Sequence, residues 1–259
     1  MPGQLARKLK PEEEELLRKR EELAATRSAL AELELELVDL RSNLAAFEGR
    51  YLRQVGSLYA ELDEWKARIA ELRAKLHPSA ASNAEAEDAR AQARQTFEDA
   101  HGKASNTPDV SASPDLKRLF REVAKRIHPD FGKDSADLER RTRLMGEANR
   151  AYEVGDVETL QRILDEYQDA SDAVEGEGIG AELVRIIRQI SMAKARLAAI
   201  THELASLRES DIALLRSQAE ESDQKGRDLL TELATAVREQ IKLARKIHET
   251  LTEQEGKPA

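Results

Sequence analysis

Residues 16–44 read LLRKREELAATRSALAELELELVDLRSNL, and the spacing of their leucines decides the fold. Leu16, Leu23, Leu30, Leu37 and Leu44 fall at every seventh position, and Tyr51, Leu58, Trp65 and Leu72 continue the series. A second series fills the same seam: Leu33, Leu40 and Phe47, then Val55, Leu62, Ile69 and Leu76. Steps alternating between three and four residues place both series on one narrow helical stripe, and a stripe sustained this long predicts a coiled coil. Tyr51 and Trp65 sit on that stripe, so they are read as packing residues rather than ligand contacts. The rhythm changes once, at Phe47, Tyr51 and Val55, where two steps of four follow each other. Such a stutter unwinds the supercoil locally.

Working outward, Pro11 followed by Glu12 to Glu15 is a helix start, because proline fits the first turn and acids suit its positive end. His77-Pro78 ends the helix, since the residue before proline resists the helical region. The N-terminal coil is therefore placed at 11–77. Residues 78–112 are rich in Ala, Ser, Asn and Asp and read as a linker with room for a short helix from Glu85 to Phe97. A compact segment at 113–168 follows, then a small acidic linker at 169–179. Residues 180–252 form a second coil on Leu183, Ile186, Ile190, Ala193, Leu197, Ile200, Leu204, Leu207 and Leu214. The pattern weakens over 217–226, where Gly226 marks a kink or turn, and resumes with Leu230, Leu233, Val237, Ala244, Ile247 and Leu251. No segment alternates with strand period, so the expected fold is all-α. The two coils have about seventy residues each, or roughly 100 Å if continuous. We expect them to pair antiparallel within one chain and carry the middle segment at the far tip; the rival is a parallel homodimer through the N-terminal coil.

Composition agrees with this layout. Among 259 residues, aromatics are 3% and charged residues 35%, too little bulk for one wide core. The formal net charge of -9 argues against a general nucleic-acid binder. The chain has no cysteine, which excludes disulfide scaffolds and thiolate chemistry and fits a reducing, cytoplasmic setting. Met1 to Lys8 carries positive charge with no apolar stretch behind it, and no run is long enough to span a bilayer. His77, His101, His202 and His248 lack ligand spacing, so no metal site is expected. No nucleophile-histidine-acid set or phosphate loop is readable, so neither an enzyme nor a cofactor is expected.

The middle segment carries the chemistry. Ser113-Pro114-Asp115 is an N-cap, a first-turn proline and a first-turn acid. Leu116, Leu119, Phe120, Val123, Ala124 and Ile127 then form an apolar stripe, opposite a basic arc of Lys117, Arg118, Arg121 and Lys125. Pro129 stops the helix at His128. A second helix from about Ala136 buries Leu138, Leu144, Met145, Ala148 and Tyr152 and ends at Gly155. Asp156 caps a third helix with Leu160, Ile163, Leu164 and Tyr167 facing inward. The core is an antiparallel helical hairpin with His128-Pro129-Asp130 at its bend.

That arrangement resembles the J domain of DnaJ-type co-chaperones. The matching features are the basic amphipathic helix from Lys117 to Ile127, the tripeptide His128-Pro129-Asp130, and the run Glu147-Ala148-Asn149-Arg150-Ala151-Tyr152-Glu153. The resemblance covers about fifty-five residues. It implies that His128, Pro129 and Asp130 stimulate the ATPase of a DnaK-type chaperone. It also implies that the basic helix, through Lys117, Arg118, Arg121, Lys125 and Arg126, docks on that partner. Phe120, Val123, Ile127, Met145, Asn149 and Tyr152 take structural positions. Three departures stand out. The family's first helix is not evident before Ser113, and either Glu85 to Phe97 or the adjoining coil would replace it. Glu122 occupies a position that is often basic. The glycine/phenylalanine-rich region and zinc module are absent, as in class C members, whose other segments set location or client. The coils would then serve as spacer, oligomerisation or client-binding rods. The alternative reading is a structural coiled-coil adaptor whose J-like module docks without stimulating.

Overall fold

The computed structural model describes residues 10–102, 112–168 and 178–255; the parts of the expected linkers at 103–111 and 169–177 lie outside them. Among the described residues every regular element is helical and there is no strand, so the chain is all-α. The elements are α1 (Pro11–Tyr51), a π-helical turn (Leu52–Gly56), α2 (Ser57–Leu76), α3 (Ala80–Gly102), α4 (Pro114–Ile127), a 3-10 turn (Pro129–Phe131), α5 (Ser135–Val154), α6 (Val157–Gln168), α7 (Ile179–Arg208), α8 (Asp211–Gln224) and α9 (Leu229–Glu255). No described helix is long and apolar enough to cross a membrane. The chain divides into two compact units, residues 1–42 with 110–209, and 43–109 with 210–259.

In the first unit, Leu16, Leu23, Leu30 and Leu37 of α1 close a seam with Ile186, Ile190, Ala193, Ile200 and Leu204 of α7. Flanking ion pairs give its direction. Arg20 meets Glu182, Glu34 meets Arg196, and Arg41 meets Glu203, each pair 162 residues apart. A constant offset means that the helices run parallel, which corrects the antiparallel pairing expected from sequence. A leucine seam is the same in either direction; flanking charges, which the heptad pattern ignores, set orientation. The middle segment is not a tip either: α4, α5 and α6 pack side-on against Ala31, Leu35 and Val38 of α1. Within that hairpin Leu138, expected inside, is exposed.

The second unit repeats the parallel pairing. Leu62 and Ile69 of α2 pack with Val237, Ile241 and Ala244 of α9. Glu61 pairs with Arg245, and Trp65 lies edge-on to His248 at 5.5 Å. The stretch read as linker with a short helix at 85–97 is instead the whole of α3, laid antiparallel on α2. Arg90 reaches Glu64 and Glu71, and Thr96 donates to Asp63. Ala86, Ala93 and Ala100, one every seventh residue, form its buried edge. Small side chains bring helix axes close together.

The stutter after Phe47 is taken up by the π turn, which absorbs the extra residue while the helix continues on both sides. The C-terminal coil breaks twice, not once. Gly226, at φ 72°, separates α8 from α9, and Ser210 caps α8 by accepting from the Ala213 amide. That earlier break resets the phase. Ile212, Leu215 and Ala219 turn inward, and Leu214, expected on the seam, is exposed.

Candidate functional site

The tripeptide is held by its neighbours in sequence before anything else. Ser113 accepts from the Leu116 amide and starts α4. The helix buries Leu116, Phe120, Val123, Ala124 and Ile127, the stripe read from sequence with Leu119 at its edge. Phe120 tilts against Tyr152 at 5.0 Å, and Met145 and Ala148 of α5 face the same core. Pro129 then forces a 3-10 turn. Gly132 closes it in a tight space: a Cβ there would meet backbone atoms of Leu138 at 3.1 and 3.2 Å, so that backbone would have to give by a few tenths of an ångström.

Two residues that the sequence reading passed over fix the turn. Phe131 is buried in the α1–α7 seam, with the Arg27 guanidinium 4.6 Å above its ring. Arg141, almost wholly buried, donates to the Arg126 carbonyl at 2.9 Å and to the His128 carbonyl at 3.4 Å. A cation there meets the negative end of α4. Asp137 holds it at 2.8 Å, an i,i+4 pair visible in the sequence but easily taken for a solvated face.

His128 is buried. Its Nδ1 accepts from the Asp130 amide at 3.2 Å, so the proton sits on Nε2, which donates to Glu34 Oε1 at 3.2 Å. The Arg196 Nε also donates to that oxygen, at 2.9 Å. Burial works to raise the Glu34 carboxyl. The His128 hydrogen bond and the Arg196 charge outweigh it and hold the group below the usual carboxylate range. Glu34 and Arg196 carried no signal of their own, being two charges among many on the flanks of a coil.

A bend at Pro129 suggests an exposed Asp130 carboxylate; the structure corrects this, since its side chain is only 20% exposed and its Oδ2 is buried without a hydrogen-bond partner. Burial pushes its pKa up, against the pull of the Arg196 charge. The carboxylate borders a groove of about 590 Å³, lined also by Gly132, Lys133 and the outer face of α7.

The basic arc is partly consumed inside the unit. Lys117 binds Asp39 at 2.9 Å and Arg121 binds Glu32 at 3.3 Å. Tyr152 donates to the other oxygen of Asp39 at 2.8 Å; burial and that carboxylate push the phenol above its usual range. Arg118 is exposed beside Asp115, and Lys125 and Arg126 are exposed. Asn149 presents a buried Oδ1 with no hydrogen-bond partner. Among the described residues no group of three or more His, Asp and Glu could hold a metal.

The chain matches no protein-family model, no curated protein and no solved structure.

Proposed function

We propose that this protein is a J-domain co-chaperone that stimulates the ATPase of a DnaK-type chaperone in the cytoplasm. One observation carries the reading. A basic helix, the turn His128-Pro129-Asp130 and an antiparallel second helix come together around one core, with the Asp130 carboxylate bordering an open groove. The part of this carboxylate side chain that stays exposed at a braced turn is poised to accept charge-assisted hydrogen bonds from a cation on a partner. Its bracing by Phe131, Gly132 and Arg141 limits the entropy lost on docking. The apolar wall that the family closes with its first helix is supplied here by Ala31, Leu35 and Val38 of α1. The test is single-turnover ATP hydrolysis by a DnaK-type chaperone, with the full chain and its Asp130→Asn variant. Stimulation by the first and none by the second is the expected result. A variant as active as the wild type would sink the proposal.

The adaptor reading also has an observation in its favour: His128 is buried on Glu34, and Lys117 and Arg121 are engaged by acids of α1. A wild-type chain that binds the chaperone without accelerating hydrolysis would establish it.

A further inference from the structure

The imidazole of His128 links the turn to the coil beside it. A neutral imidazole has one nitrogen that donates and one that accepts, and the partner of one fixes the role of the other. Here Nδ1 accepts from the Asp130 amide at 3.2 Å, which ties the backbone of the turn to the ring. The proton is therefore on Nε2, and Glu34 Oε1 accepts it at 3.2 Å. With side chains 4% and 7% exposed, the pair is shielded from solvent. Glu34 is fixed in turn by Arg196 of α7, and its carboxyl is held below the usual range, so it accepts and does not donate. One further atom bears on the turn. Asp130 Oδ2 is buried without a hydrogen-bond partner and lies 3.9 Å from His128 Nδ1. It is the group placed to accept from a proton on Nδ1, after a small rotation that draws the carboxylate inward from the groove.

We infer that Glu34 is a positioning residue of the tripeptide: it selects the Nε2-protonated form of His128 and so keeps the Asp130 carboxylate at the groove. Arg196 supports it by holding the Glu34 oxygen against the ring. Without that acceptor the Nε2 proton is buried and unpaired, and tautomerisation to the Nδ1-protonated form relieves that cost. On Nδ1 the proton faces the Asp130 amide, donor against donor. The hydrogen bond from that amide is lost, and Oδ2 turns in to accept from the ring. The hairpin is then still folded, yet its carboxylate is withdrawn. This rests on the co-chaperone reading and extends the stimulating site to α1 and α7, outside the J-like hairpin.

The test uses the full chain with isotope-labelled histidines, and single-turnover hydrolysis by an ATP-loaded DnaK-type chaperone. Imidazole nitrogen shifts in the magnetic resonance spectrum report the tautomer of His128, whose signals are those missing from His128→Gln. Glu34→Gln keeps an oxygen acceptor without the charge; Glu34→Leu keeps the bulk without the acceptor. Both are assayed where circular dichroism shows them fully helical. Glu34→Gln is expected to retain the Nε2 tautomer and stimulate within about twofold of the wild type, although the lost charge lowers its melting temperature. Glu34→Leu is expected to shift to the Nδ1 tautomer and lose about tenfold or more in stimulated rate. If stimulation follows melting temperature across the variants and not the tautomer, Glu34 is structural only and the inference is overturned. A folded Glu34→Leu with the wild-type tautomer or full stimulation overturns it as well, and leaves the co-chaperone reading standing. If the wild type does not stimulate, both fall.

Discussion

The two units are built on one plan and spend their polar groups differently. Each closes a parallel seam between the N-terminal coil and the C-terminal coil, α1 with α7 in one and α2 with α9 in the other, and each lays a further layer on that seam. In the second unit the layer is α3, seated on alanines. In the first it is the α4–α6 hairpin, seated on an apolar patch and on ions. Among the described residues, the buried polar and charged ones, Thr26, Glu34, His128 and Arg141, all belong to the first unit. Burying such groups costs free energy unless every one is paired, and replacing them with apolar residues is often neutral or better for stability. Their presence in one unit and not the other marks the first as the unit in which the position of a turn matters more than stability alone.

Truncating the hairpin core gives the largest expected effect. Phe120 is fully buried, and Phe120→Ala should cost about 4 kcal/mol, the range for a large aromatic removed from a packed core. Calorimetry should show the loss in the transition of the first unit, with amide exchange in α2, α3 and α9 little changed. Equal loosening of both units would mean that they unfold as one cooperative body.

Breaking the polar bridge should rank second. Glu34→Ala leaves Arg196 and the His128 Nε2 proton without their shared acceptor, a loss of about 3 kcal/mol. The sign with pH follows from the lowered Glu34 pKa. Its contribution is complete above the unfolded-state carboxylate range and disappears as pH falls through the lower folded value. The first unit of the wild type should therefore lose stability on acidification, and Glu34→Ala should flatten that loss. An acid profile identical in the two proteins would remove Glu34 from the account.

Overpacking α3 probes the second unit at a smaller scale. Ala93 is 4% exposed on the edge against α2, and Ala93→Leu should cost about 2 kcal/mol, while Ala93→Ser should cost much less. A leucine accepted without loss would show that the α2–α3 spacing is loose.

These elements also show what the sequence made legible. The seam, the stutter, the bend at Pro129 and the caps at Ser113, Gly155 and Asp156 were readable because each depends on local spacing or one residue's backbone preference. The direction of pairing was not, because Leu30 and Leu37 look alike from either end. Nor was α3: an alanine every seventh residue contributes little hydrophobic signal, though Ala86, Ala93 and Ala100 set its packing. At the site, His128 and Asp130 were found, but their burial was not, because it comes from Glu34, Phe131 and Arg196, brought in by tertiary contacts.

The smallest effect is the most telling about the first unit. Asp130 keeps a carboxylate where burial raises its pKa, with one oxygen lacking a partner. A raised folded-state pKa means that the ionised group opposes folding at neutral pH. The stability it could contribute is present below the unfolded aspartate range and is lost as pH rises through the folded value. Asp130→Asn removes that charge and should raise the melting temperature by about 2 °C near pH 7. The gain should shrink as pH is lowered and the wild-type carboxyl protonates. No residue on the alanine edge of α3 offers such a gain by losing a charge, because none there is ionisable. A stabilised variant that has also lost ATPase stimulation would mark the carboxylate as retained for its partner at the expense of the fold. A variant that melts below the wild type at neutral pH would show instead that the charge supports the turn through His128 or Arg196.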